Sequence, residues 1–140
     1  METETIMETI INEYYVSLEV AKLLKEAGFD WETKNWWDYC KPIDEWSLRN
    51  YPEAPVNWNS KYYNYDCSAP TLDVAQRWLR EVKGLIVQID FLRHNKWWYL
   101  VLQGERVETL ENPRVKFNTY EEAQEAGIRK ALEIILEKGE

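Results

Sequence analysis

The sequence has one histidine, two cysteines, five glycines and five prolines among 140 residues. Each scarcity removes a class of function. One histidine and no Cys-x-x-Cys pair leave no ligand set at the spacing a structural zinc site needs. The glycines are scattered, and none stands in a GxGxxG or GxxxxGK[ST] setting, so no phosphate-cradling loop is expected. Gly and Pro are too few for a collagen, a linker or a low-complexity chain. No apolar run approaches the roughly 18–20 residues of a membrane span. The start, METETIMETI, lacks a basic segment followed by an apolar one, so no signal peptide is expected. No cofactor is expected either.

Bases are also short: 17 Lys and Arg stand against 25 Asp and Glu, for a net charge of −8. Affinity for nucleic acid comes largely from clustered cations, and anionic membranes attract the same kind of surface. Both partners are disfavoured. A basic protein partner is the one that this charge favours. Without a secretory signal, Cys40 and Cys67 are expected as free thiols, with a disulfide as the alternative.

What the chain does have is apolar and aromatic mass. Hydrophobic residues make up 45%, with eight Trp and nine Tyr. That suits one domain with a real core. Residues 1–12 are expected to be a flexible N-terminus, and translation could begin at Met1 or Met7. Residues 13–140 are expected to form a single α+β domain.

Three helices are legible from caps and periodicity. Ser17 caps 17–27, whose stripe is Leu18, Ala21, Leu24 and Ala27 before the Gly28 stop. Thr71 caps 71–83, with Leu72, Ala75, Leu79 and Val82 inward, Trp78 beside them, and Gly84 as stop. Thr119 opens 119–138 with Glu122 three residues on. Tyr120, Ala123, Gly127, Ala131 and Ile134 line one face of it, widened by Ile128 and Ile135, and its small residues permit close approach to a sheet.

Residues 85–92 and 97–103 are β-rich runs around a turn. Taking His94-Asn95 as a two-residue turn, Phe91 faces Trp98, Ile89 faces Leu100 and Val87 faces Leu102. That face becomes the core, and Trp97, Tyr99 and Val101 turn outward. Residues 105–110 and 115–117 could add short strands. Residues 30–66 fit no regular pattern and hold ten of the twenty aromatics. They read as an aromatic-rich irregular insertion with short strands at 36–40 and 61–66. The expected architecture is an antiparallel sheet built on hairpin 85–103 and packed by helices 17–27, 71–83 and 119–138.

Three blocks, YVSLEVAKLLKEAGFDW (15–31), SAPTLDVAQRWLREVKG (68–84) and TYEEAQEAGIRKALEII (119–135), resemble a family of small uncharacterised proteins encoded by phages and prophages of gut anaerobic bacteria. The resemblance covers about a third of the chain. It implies a phage origin and a cytoplasmic setting in the host bacterial cell, and carries no activity or catalytic residues.

Three chemistries compete with blander readings. Cys40 or Cys67 with His94 would make a nucleophile and base, but a lone His at a solvated hairpin tip suits a turn better. Asp38, Asp44, Glu45, Glu53 and Asp66 could supply paired carboxylates for a small hydrolase, but acids this dense lie close by chance. Helix 17–27 could open a helix-turn-helix, but the segment after it carries more acids than bases. The sharper signal is NWWDYC, residues 35–40. Adjacent strand residues point to opposite faces, so one of Trp36 and Trp37 needs cover from a loop, a partner or water. Candidate binding residues are Trp36, Trp37, Tyr39, Trp46, Trp58, Tyr62, Tyr63 and Trp97. No catalytic residue and no metal ligand is assigned. The leading expectation is a non-enzymatic protein-binding module acting on a host or phage protein. The alternative is a small-ligand or carbohydrate-binding module built on 30–66, and the third reading is the hydrolase. A homodimer is conceivable through the Trp97 row.

Overall fold

The computed structural model describes residues 14–63, 65–104, 108–111 and 115–138. The elements run α1 Leu18–Glu26, β1 Asn35–Cys40, β2 Glu45–Asn50, β3 Cys67–Ser68, α2 Leu72–Trp78, β4 Leu85–Leu92, β5 Lys96–Gln103, β6 Glu108–Glu111 and α3 Tyr120–Glu137. The result is the expected α+β fold, with antiparallel strands packed, among the described residues, against these three helices. The expected flexibility of residues 1–12 lies outside the described residues.

The helices begin where short hydroxyl side chains can take an orphan backbone N–H. Ser17 accepts from Val20 at 3.2 Å, Thr71 from Val74 at 3.2 Å and Thr119 from Glu122 at 3.0 Å. α2 does not run evenly to its stop. Its last turn, Leu79–Lys83, is a π turn that ends on Gly84 at a φ of 70°. The wider turn rotates Val82 off the buried stripe, and it is 52% exposed. Trp78, read as flanking that stripe, is 1% exposed and edge-on to Phe29 at 5.4 Å.

Among the described residues two antiparallel sheets form, in the orders β2–β1–β3 and β4–β5–β6. The first corrects the reading of 30–66 as irregular. Asn35–Cys40 and Glu45–Asn50 make a hairpin in full register, from Asn35 opposite Asn50 to Cys40 opposite Glu45. A short 3-10 turn through Pro42 joins them, closed by Asp44 at a φ of 52°. Strand 36–40 is present, whereas 61–63 and 65–66 make turns and loop, the residue between them lying outside the described residues; the short strand Cys67–Ser68 pairs with β1.

The second sheet corrects the hairpin register. His94 and Asn95 do take positive φ, and Lys96 N–H bonds Arg93 O at 3.3 Å. Yet Lys96 pairs with Leu92, leaving Arg93 in the loop. That one residue shifts β5 by one position, and a shift of one inverts every side chain. Val87 therefore faces Val101, Ile89 faces Tyr99 and Phe91 faces Trp97. Tyr99 and Val101 are buried, at 7% and 0%, while Trp98, Leu100 and Leu102 lie on the opposite face, half-buried. Trp97 is on the helix side, not outside as expected. Part of the expected strand at 105–110 lies outside the described residues, and Glu108–Glu111 pairs with β5. Phe117 bridges Trp97 by a single antiparallel pair.

α3 lies across β4 and β5 and also meets α1 and α2. Its buried face is Ala123, Gln124, Gly127, Ile128, Ala131 and Leu132. Tyr120, expected inward, is 37% exposed. Gln124 sits in the core with both amide hydrogens engaged: Nε2 donates to Asp73 Oδ1 at 2.7 Å and to Gln76 Oε1 at 2.8 Å. Gln76 Nε2 in turn donates to Val87 O at 2.6 Å, which ties α3, α2 and β4 together. Among the described residues no helix is long and apolar enough to cross a membrane.

Candidate functional site

The eight sequence-nominated residues do not gather at one place. Trp37 and Trp36 leave β1 on opposite faces. Trp37 packs on the main core and donates its indole N–H to Val16 O at 3.1 Å. Trp36 stacks flat on Trp58, with centroids 3.9 Å apart and planes 15° apart. Trp58 is 7% exposed, with its indole N–H on Thr33 O at 2.8 Å. Tyr63 lies 5.0 Å from Trp58 and Tyr51 6.3 Å. This cluster is a satellite core held by Asn59, whose side chain donates to Phe29 O and accepts from Ser68 N–H, both at 2.9 Å. Tyr62 stands outside it, 82% exposed. Trp97 is on the other sheet.

The remaining two, Tyr39 and Trp46, do come together. They are directly opposite on β1 and β2, with rings 4.9 Å apart. Tyr65 joins them at 6.4 Å from Tyr39. Together with Lys22, Lys25 and Glu26 of α1, and Cys67 of β3, these rings line an open cleft of about 440 Å³. Lys22 Nζ lies over the Trp46 ring at 4.9 Å, a cation–π contact worth about 0.5–1 kcal/mol at an exposed site. Lys25 Nζ donates to Asp66 O at 2.7 Å and to Tyr63 O at 3.4 Å, so it anchors the loop that carries Tyr65.

The polar groups around the cleft are tuned by their neighbours. The Tyr39 hydroxyl donates to Asp44 Oδ1 at 2.6 Å, and that carboxylate holds the phenol above its ordinary range. Burial pushes the Cys67 thiol up, against the pull of Lys25 and Lys22. A protonated, buried thiol is a poor nucleophile, and His94 stands in the exposed β4–β5 loop. Burial and then the nearby Asp38 carboxylate raise Asp66. Of the acids nominated from sequence, Asp38 and Asp66 are thus brought together, with Asp38 held by Arg49 Nε at 2.8 Å. Among the described residues no group of three or more His, Cys, Asp or Glu side chains is placed to hold a metal ion.

The sequence reading missed the contribution of α1. Lys22 and Lys25 fall one turn apart on the helix, which was the available signal, but which ring they would meet required the β1–β2 hairpin. A wider recess of about 590 Å³ lies beside the π turn, lined among others by Arg80, Lys83, Ile86 and Gly104, and carries no ring. No protein-family model, curated protein or solved structure matches the chain.

Proposed function

We propose that this protein is a non-enzymatic binding module whose cleft takes a small ligand with a flat apolar face and a polar rim, a sugar ring being the best fit. The observation that carries this is the convergence of Tyr39, Trp46 and Tyr65 on one open cleft bordered by Lys22, Lys25 and Glu26. Ligand sites combine apolar, aromatic walls with a few placed polar groups. A pyranose offers C–H groups to a ring face and hydroxyls to charged side chains at the edge. The volume suits one or two sugar units rather than a polymer track. The net charge of −8 weighs against polyanionic ligands. The likeness of three blocks to phage-encoded proteins supports action inside a bacterial host.

The test is titration of the labelled protein with a panel of neutral mono- and disaccharides, read by amide chemical shifts. Saturable shifts confined to residues around Tyr39, Trp46 and Tyr65, lost in Trp46→Ala, are the expected result. A panel with no saturable shift at these positions overturns the reading.

Binding of a basic host or phage protein is the second reading. Its support is a set of exposed rings outside the cleft, among them Phe91 at 59% and Tyr120 at 37%.

A further inference from the structure

A second recess, of about 180 Å³, shares no residue with the cleft. It is lined by Tyr14, Leu72, Asp73, Tyr120, Glu121 and Gln124, where the first turns of α2 and α3 meet. Acids in a first turn have an ordinary explanation, since each helix start carries about half a positive charge. Two carboxylates against two such ends still leave roughly one negative charge by the same arithmetic. Gln124 is 2% exposed, and both its amide N–H groups are spent on Asp73 and Gln76, so it adds no donor. The recess therefore offers a ligand the Asp73 and Glu121 carboxylates and the rings and hydroxyls of Tyr14 and Tyr120, and ionised carboxylates beside ring faces receive a cation with N–H donors. The phenol of Tyr120 is raised by burial and then by Asp73 and Glu121, so its ring stands in their negative field.

A ledge leads away from this recess. Tyr120 meets Trp97 edge-on at 5.3 Å, and Trp97 meets Phe91 edge-on at 5.0 Å. Phe91 is 59% exposed. We infer that the recess and ledge dock a protein segment presenting a lysine or arginine, its cation between Tyr14 and Tyr120 opposite Asp73 and Glu121, with a neighbouring apolar side chain on Trp97 and Phe91. This deepens the second reading above and is independent of the cleft. Such a partner is basic, and the chain's net charge of −8 attracts it at long range.

The test uses the full chain, isotope-labelled, titrated with acetyl-Lys-Phe-amide and with the uncharged analogue acetyl-norleucine-Phe-amide. The lysine peptide is expected to shift the Gln124 side-chain amide and the Tyr120 backbone amide saturably. Its affinity is expected to exceed that of the norleucine peptide about threefold or more, the size of one exposed cation–π or ion-pair contact. Glu121→Gln, which alters one first-turn carboxylate and no core contact, is expected to erase that preference while the fold, read by circular dichroism, stays intact. Equal affinity for the two peptides overturns the inference, as does a preference that survives Glu121→Gln. Shifts at Tyr39 and Trp46 with none at Gln124 would also overturn it, and would leave the cleft reading standing.

Discussion

Gly127 of α3 lies so close to Val87 of β4 that a β-carbon built on it would stand 2.5 Å from Val87 Cγ1 and 3.1 Å from Tyr99 Cβ. Neither neighbour can yield cheaply, because Val is stiff at χ1 and the Tyr99 β-carbon moves only with its strand. Gly127→Ala would gain about 1 kcal/mol of helix propensity and lose about 1–3 kcal/mol to overpacking. The expected outcome is a net loss of up to about 2 kcal/mol in urea unfolding. A stabilised variant would mean that α3 stands further from the sheet than described.

The same helix face carries the Gln124 amide. Gln124→Leu keeps the volume but leaves Gln76 Oε1 and Asp73 Oδ1 without their donor. Asp73 is exposed and Gln76 half-buried, so water takes up part of the lost bonding, and the expected loss is about 1 kcal/mol. Because Gln76 also holds Val87 O, the Gln76→Leu/Gln124→Leu pair is expected to be non-additive by more than about 0.5 kcal/mol in a double-mutant cycle.

These two contacts mark what was legible in the sequence. Ser17, Thr71 and Thr119 announced their helices because a cap is a local event, decided within four residues. Gly127 was legible as a point of close approach from its place among small residues. Gln124 was not, because a glutamine beside an apolar stripe reads as surface until its partners on another helix are known. The β5 face was inverted by one residue, Arg93, whose membership of the loop is set by what packs beneath the strands. The β1–β2 hairpin was obscured by Pro42 and by Asp44 in the left-handed region, which together resemble an irregular loop. For the candidate site, composition identified the region and the ring count, but not the grouping. Tyr39 with Trp46 and Trp36 with Trp58 are separated only by strand pairing and by which side of β1 each ring leaves.

Asp66 links stability to pH. Its folded-state pKa is raised, by burial first and then by Asp38, above the ordinary value of 3.8. The folded protein therefore binds this proton more tightly than the unfolded chain. The stabilisation from that proton is fully present below pH 3.8 and is lost as pH rises through the folded value. At pH 7 the ionised group is a net cost. Asp66→Asn is expected to stabilise the protein at pH 7 by less than about 1 kcal/mol after solvent screening. Its backbone carbonyl, which holds Lys25, is unchanged. The gain should shrink as pH falls toward 4. Equal differences in Tm between variant and parent at pH 4 and pH 7 would show that Asp66 is not perturbed.

The two thiols are expected to react unequally. Both are free, Cys40 half-buried and Cys67 at 4% exposure. Burial raises the Cys67 thiol, and the thiolate is the reactive form. With iodoacetamide at pH 7.5 on the folded protein, Cys40 should alkylate first by about tenfold or more, read by peptide mass mapping. Comparable rates would place Cys67 in a more open cleft floor than the structure shows.

Trp36→Ala and Trp46→Ala separate core from site. Trp36 is half-buried and is one half of the flat stack on the buried Trp58, so removing it also uncovers a core ring and costs about 2 kcal/mol or more. It is expected to lower stability, with any ligand affinity of the folded fraction kept. Trp46 is half-buried, with Lys22 over its face. Its removal should cost less in stability, about 1–2 kcal/mol for a partly exposed side chain, and should abolish saccharide binding at the cleft. Urea unfolding and the saccharide titration, run on both variants, read the two effects independently. If Trp36→Ala removes binding while Trp46→Ala leaves it, the ligand surface lies on the outer face of β1, and the doublet at 36–37 is a site rather than a packing device.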